Sequence, residues 1–283
     1  MQILTGFAPL AARYDGFILD LWGVIHDGVA PYPGAVDVLH RLRAAGKPSV
    51  LLSNAPRRAH AAQQALRAMG IPDALYTGIL TSGELTHRML RDRTDPFFAA
   101  LGNLVYHLGP DRDRNVIEGL PLRPVAQPEQ AGFVLNTGPD DLRSPTDPAA
   151  YEDELRACLA AGLPMICANP DLVVIRGGVQ LICAGLLARR YEALGGTARW
   201  VGKPDPAVYG PVLDMLGVER SRVLAVGDAL RTDIAGAAGV GIDACWVLGG
   251  IHGAELGGDP AAAARAACET GLAPVAALPE FAW

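Results

Sequence analysis

The sequence predicts an α/β fold, a parallel-sheet core interrupted by a large inserted domain. Three observations carry that expectation. Short apolar runs alternate with helical periodicity, as βα units do. Polar clusters fall just beyond the ends of several of those runs. The stretch from about Asp92 to Arg143 breaks the rhythm with many Pro, Gly and charged residues. A chain of 283 residues suits about two domains, or one with a large insertion.

Phe17-Ile18-Leu19-Asp20-Leu21 reads as the first strand, and Ala35 to Ala45 as a helix stopped by Gly46. Ser49 to Leu52 is the next strand, ending at Ser53-Asn54, and Arg58 to Met69 a helix stopped by Gly70. Thr81-Ser82-Gly83-Glu84 has the capping-box pattern and opens a helix through Leu90. The insertion is read as 83–190. It carries expected strands at Leu104 to His107, Gly132 to Leu135 and Pro164 to Ala168. Its helix is capped by Asp147-Pro148 and runs to Ala161. The core, 1–82 and 191–283, resumes with Trp200-Val201, a helix opened by Asp205-Pro206, the strand Val223 to Val226, and an Ala-rich helix at Ala261 to Ala267.

Composition narrows the function classes. Hydrophobic residues make up 50% and charged residues 19%, which suits full cores and not a disordered chain. The net charge of −6 argues against a nucleic-acid partner. No apolar run reaches the roughly 18 residues a membrane helix needs, so no membrane partner is expected. The N-terminus shows no export signal. The five cysteines are scattered and never spaced as CxxC, which reads as buried thiols in a reducing cytoplasm. Among 24 basic residues, only Lys47 and Lys203 are lysine.

Four segments lie at or just beyond expected strand ends: Asp20 to Val24, Ser53-Asn54, Gly202-Lys203-Pro204, and Gly227-Asp228 with Thr232-Asp233. In open α/β sheets the carboxyl ends of the strands form the ligand crevice. Three carboxylates converging there would repel one another. Mg²⁺, bound by hard oxygen ligands and itself a binder of phosphate, removes that conflict. One carboxylate is then free to act as a nucleophile through an aspartyl-phosphate.

This arrangement resembles the haloacid dehalogenase superfamily, closest to its class IIA branch of NagD-like phosphatases. The resemblance covers nearly the whole chain. It rests on DLWGVIHDG at 20–28, Pro33-Gly34-Ala35, LLSN at 51–54, Ala168 to Asp171, Cys183 to Gly185, VGKPDP at 201–206 and VGDALRTDI at 226–234. It implies a Rossmann-like parallel-sheet core with a large inserted α/β cap domain. The implied activity is Mg²⁺-dependent hydrolysis of a small phosphorylated substrate, a sugar phosphate or nucleotide. Asp20 would be nucleophile and metal ligand, and the main-chain carbonyl of Trp22 a second ligand. Asp228 and Asp233 would serve the metal, Ser53 and Asn54 the phosphate, and Lys203 the charge. A cap loop from Asn169 to Gly178 would face the site, offering Asn169, Asp171 and Arg176 for specificity. A homodimer through the cap is also implied.

One position departs from the pattern. The family's phosphatases carry Asp two residues after the nucleophile, as the acid that protonates the leaving group and the base that activates water. Here it is Trp22, and an indole N–H cannot exchange a proton at neutral pH. General acid–base catalysis typically supplies about 10²–10⁴-fold, so alkyl phosphates are expected to turn over poorly unless another group substitutes. His26 is the nearest ionisable candidate, although its place reads better as structural. Two rival readings follow: a non-catalytic phosphate-binding protein, and a dehalogenase, whose leaving halide needs no proton. Paired Asp228 and Asp233 favour a metal and count against the dehalogenase.

Overall fold

The computed structural model describes residues 1–250, 253 and 259–283. In chain order its strands are β1 (Gln2–Ile3), β2 (Gly16–Leu19), β3 (Ser49–Ser53), β4 (Gly78–Thr81), β5 (Leu104–Leu108), β6 (Arg123–Val125) and β7 (Phe133–Asn136). They continue as β8 (Met165–Cys167), β9 (Val173–Arg176), β10 (Val179–Ile182), β11 (Ala198–Trp200), β12 (Val223–Gly227), β13 (Asp243–Val247) and β14 (Ala276–Leu278). Two sheets result. The larger has the order β1-β14-β13-β12-β2-β3-β4 and the smaller β11-β8-β7-β5-β6. Every pairing in both is parallel. The fold is therefore α/β and Rossmann-like, as the alternating pattern predicts.

The central strands of the larger sheet are buried along their whole length, as parallel strands covered on both faces must be. Their side chains alternate between two cores. Ile18, Val50 and Leu52 pack with Val212 and Trp246 on one face, and Phe17, Leu19 and Leu51 pack with Leu39, Leu42 and Leu66 on the other. β2 pairs with β12 on one side and β3 on the other. The chain winds away in both directions there, and a crevice opens at the carboxyl ends of these three strands.

The caps form where the sequence places them. Thr81 Oγ1 accepts from Glu84 N at 3.0 Å, while the Glu84 carboxylate binds Arg58 and Arg88. Asp205 caps its turn through Ala207 N at 2.9 Å. Asp147 caps through Ala149 N, but the first turn is 3₁₀ (Pro148–Tyr151) and the α-helix begins only at Glu152. Four of the five cysteines are buried and Cys268 is exposed.

Two expectations are corrected. The sequence reading returns to the core at 191, yet β11 hydrogen-bonds to β8 in the smaller sheet. Periodicity marks a strand but does not say which sheet it joins. The expected loop from Asn169 to Gly178 is largely a hairpin, with β9 and β10 antiparallel around a two-residue turn at Gly177-Gly178, both at positive φ. Among the described residues no helix is long and apolar enough to cross a membrane.

Candidate active site

Asp20 lies one residue past β2, where its N–H bonds Val226 O of β12 at 2.9 Å. Lys203 follows β11, and its buried ammonium donates to Asp20 Oδ1 at 2.6 Å, Asp233 Oδ1 at 2.6 Å and Leu52 O at 3.0 Å. All three ammonium donors are thus engaged. The second oxygen of Asp233 accepts from Ala229 N at 3.1 Å. Carboxylate oxygens of Asp20, Asp228 and Asp233, all three buried, lie within 4.8 Å of one another. Burial and the neighbouring Asp233 and Asp228 push the Asp20 carboxyl well up, against the pull of Lys203. Burial would lower the Lys203 ammonium, but Asp20 and Asp233 outweigh it and hold the proton on. One ammonium cannot balance three buried carboxylates, and this all-oxygen set fits a divalent cation such as Mg²⁺. Gly23 is required beside it, since a Cβ there would sit 1.9 Å from Asp228 Oδ2.

Trp22 is half-buried, and its ring meets His26 edge-on at 5.2 Å. It also lies over Gly28, whose Cβ would fall 2.1 Å from the ring. His26 is structural: its Nδ1 accepts from Gly28 N at 3.0 Å, and burial lowers its pKa to about 4 despite Asp27.

A cavity of about 270 Å³ opens over the cluster. Asp20, Trp22, Asp27, Tyr32, Asp228 and Thr232 line it from the larger sheet's side, and Asp171 and Val173 to Ile175 from the smaller unit. Asp171 Oδ1 accepts from Asn54 Nδ2 at 2.9 Å. That same amide donates to Lys203 O at 3.2 Å and, through Oδ1, accepts from Lys203 N at 2.8 Å and Ser82 Oγ at 3.3 Å. Burial raises the Asp171 carboxyl, with Lys203 and Asn54 opposing. Arg231 adds a second tie to this loop, donating to Pro170 O at 2.5 Å.

The cluster thus gathers Asp20, Lys203, Asp228 and Asp233, with Trp22 and Asp171 on the cavity wall. The remaining expected site residues do not line the cavity. Asn54, expected on phosphate, spends its amide binding the Lys203 loop to Asp171. Asn169 Oδ1 accepts from Asp171 N at 3.0 Å and shapes the turn. Ser53 is buried, its Oγ accepting from Ala55 N at 3.2 Å. Arg176 is exposed beside the hairpin turn and does not line the cavity.

Two wall residues escape the sequence reading. Asp27 is held as an anion by the N–H groups of Ala30 and Val29, at 2.7 and 2.8 Å. Tyr32 has its phenol pushed up by burial, Asp27 and Asp228. The first is visible in the sequence only as an Asp-Gly turn and the second as the residue before Pro33.

A family model described as haloacid dehalogenase-like hydrolase matches residues 17–123, and a second HAD-like hydrolase model matches residues 200–270. The chain is 30% identical over 273 residues to chronophin from Bos taurus, covering 87% of this chain and 85% of that one. It is 27% identical over 243 residues to ribonucleotide monophosphatase NagD from Escherichia coli, covering 83% and 87%. A crystal structure of a haloacid dehalogenase-like hydrolase from Brucella suis superposes with a TM-score of 0.84 at 31% identity, over 99% of this chain and 100% of that one.

Proposed function

The chain belongs to the haloacid dehalogenase-like hydrolases, in their class IIA, NagD-like branch, and from that premise we propose a metal-dependent phosphatase of a small phosphorylated metabolite, a sugar phosphate or nucleotide. The observation that carries this reading is the Asp20–Lys203–Asp233 ion cluster with Asp228 beside it, under a cavity large enough for a small ester. In this reading Asp20 attacks phosphorus, forms an aspartyl-phosphate and releases the alcohol. Lys203 holds the nucleophile in place and offsets phosphoryl charge, and Asp233 holds Lys203. Ser53 and nearby backbone N–H groups receive phosphoryl oxygens, a contribution of positioning and electrostatics. Asp20, the Trp22 carbonyl and Asp228, with Asp233 beside them, would hold Mg²⁺, which when bound neutralises charge on the phosphoryl oxygens. The smaller sheet with its hairpin serves as the cap that excludes water.

The test is phosphate release from sugar phosphates, nucleotides, acetyl phosphate and p-nitrophenyl phosphate, with Mg²⁺ and with chelator. Wild-type turnover is expected to need metal. Asp20→Asn should bring it to background, a loss of at least about 10⁴-fold, as removal of a covalent nucleophile does. Tight phosphate binding without turnover on any ester, with activity appearing in Trp22→Asp, would replace the phosphatase with a binding protein.

A further inference from the structure

We propose that Asp171, carried by the smaller unit, donates the proton to the leaving group and then accepts one from water. The proposal rests on the phosphatase reading above. Expelling an alkoxide needs a proton at neutral pH. Among the described residues lining the cavity, the ionisable side chains are Asp20, Asp27, Tyr32, Asp171 and Asp228. Asp20 is the nucleophile, and Asp228 belongs to the oxygen cluster. Asp27 accepts two backbone N–H bonds and has no proton to give. Tyr32 keeps its proton at neutral pH and so has no phenolate with which to accept one from water. His26 does not line the cavity, and its Nδ1 is already used.

Asp171 meets the geometric needs. Its Oδ1 accepts from Asn54 in either protonation state, which fixes the carboxyl plane. Oδ2 has no hydrogen bond among the described residues and can carry the proton. The Asn54 amide that orients Asp171 also bonds both the N–H and the carbonyl of Lys203. Lys203 in turn holds Asp20. One amide therefore sets the acid relative to the nucleophile, across 117 residues of sequence. Burial raises the Asp171 carboxyl above the usual range, which favours the protonated form the first step requires.

The two steps balance. Asp20 Oδ forms a bond to phosphorus, the P–O bond to the leaving group breaks, and that oxygen takes the proton from Asp171 Oδ2, leaving an alcohol, an aspartyl-phosphate and an Asp171 carboxylate. Water then bonds to phosphorus and gives one proton to Asp171. The P–O bond to Asp20 breaks, releasing inorganic phosphate and restoring both side chains.

The experiment compares wild type, Asp171→Asn and the double variant Trp22→Asp/Asp171→Asn, with Mg²⁺, on glycerol phosphate and p-nitrophenyl phosphate. Asp171→Asn should lose about 10²–10⁴-fold in kcat/KM on the alkyl ester and no more than a few-fold on the aryl ester, whose leaving group needs no proton. With acetyl phosphate the variant should accumulate phosphoenzyme, which also shows that it is folded and that its nucleophile is intact. The double variant should recover alkyl-ester activity. Equal losses on both esters, or an unchanged alkyl-ester rate, would overturn the proposal while leaving the phosphatase reading standing. No metal-dependent phosphate release by wild type from any ester would overturn that reading, and this proposal with it.

Discussion

On the larger sheet's side of the cavity, Lys203 holds Asp20 and Asp233 at 2.6 Å each, behind a buried cluster that also contains Asp228. On the smaller sheet's side, Asp171 is held by a neutral amide at 2.9 Å. The same residue type is secured by charge on one wall and by a dipole on the other. The ammonium opposes the upward push that burial and the neighbouring carboxylates exert on Asp20, which suits a nucleophile that attacks as an anion. A carboxyl held by an amide can change protonation state without losing its partner, which suits proton transfer.

The largest way to break this contrast is to remove the charge from the first wall. Lys203→Met leaves two buried carboxylates without their cation, and losing one partner of a buried ion pair costs about 3–5 kcal/mol. At about 2–4 °C per kcal/mol for a chain of this size class, the midpoint of thermal unfolding should fall by roughly 10 °C. Added Mg²⁺ should restore part of it. Asp171→Asn keeps a polar group of the same shape and should shift the midpoint by no more than a degree or two. Equal shifts in the two variants would mean that the walls are not held differently.

How legible each wall is in the sequence follows from the same contrast. Asp20, Lys203, Asp228 and Asp233 can be read because each stands at or near a strand end beside Gly, Pro or an apolar run, and because three carboxylates converging on one crevice imply a cation. The Asn54–Asp171 bond cannot be read, since nothing local to either residue points to a partner 117 positions away. Local reading therefore sends Asn54 to phosphate. The hairpin does leave a signal. Gly177-Gly178 stands between two runs of strand formers, Val173–Arg176 and Val179–Ile182, which is the pattern of a tight β-turn. β11 is legible as a strand but not as an edge of the smaller sheet, because sheet membership is decided by register with β8.

A smaller effect compares one histidine from each unit, His26 buried and His107 half-buried. His26 and His107 both have their pKa lowered to about 4, chiefly by burial. In the unfolded chain each titrates near 6.5. Between those values the unfolded state binds protons that the folded state refuses. Each residue's contribution is therefore fully present above about pH 6.5 and is lost as pH falls toward 4. At about 1.36 kcal/mol per pH unit, each is worth up to about 3 kcal/mol at neutral pH. Raised carboxyls such as Asp20 and Asp171 act in the opposite sense, so the quantity to measure is the difference in stability slope between variant and wild type. His26→Asn and His107→Asn should each remove about one proton of uptake between pH 6.5 and 4. His26→Asn should cost more at pH 7, because Nδ1 of His26 serves Gly28 N whereas Nδ1 of His107 is buried without a partner. Slopes identical to wild type would mean that neither ring is kept neutral by the fold.

The smallest expected effect separates neighbours on the hairpin. Val173, Val174 and Ile175 line the cavity, while Arg176 is exposed and does not. Arg176→Ala should therefore leave KM within about two-fold of wild type, as expected of a surface side chain without a buried partner. Ile175→Ala should raise KM by about five-fold, equivalent to removing roughly 1 kcal/mol of apolar packing from the wall, with kcat little changed because Asp171 and Asn54 are untouched. A ten-fold rise in KM for Arg176→Ala would mean that the exposed end of the hairpin folds down onto bound substrate and brings a cation to a wall otherwise lined by carboxylates, aromatic rings and apolar side chains. The smaller unit would then bind substrate by charge as well, and the division of labour between the two walls would hold only for the empty cavity.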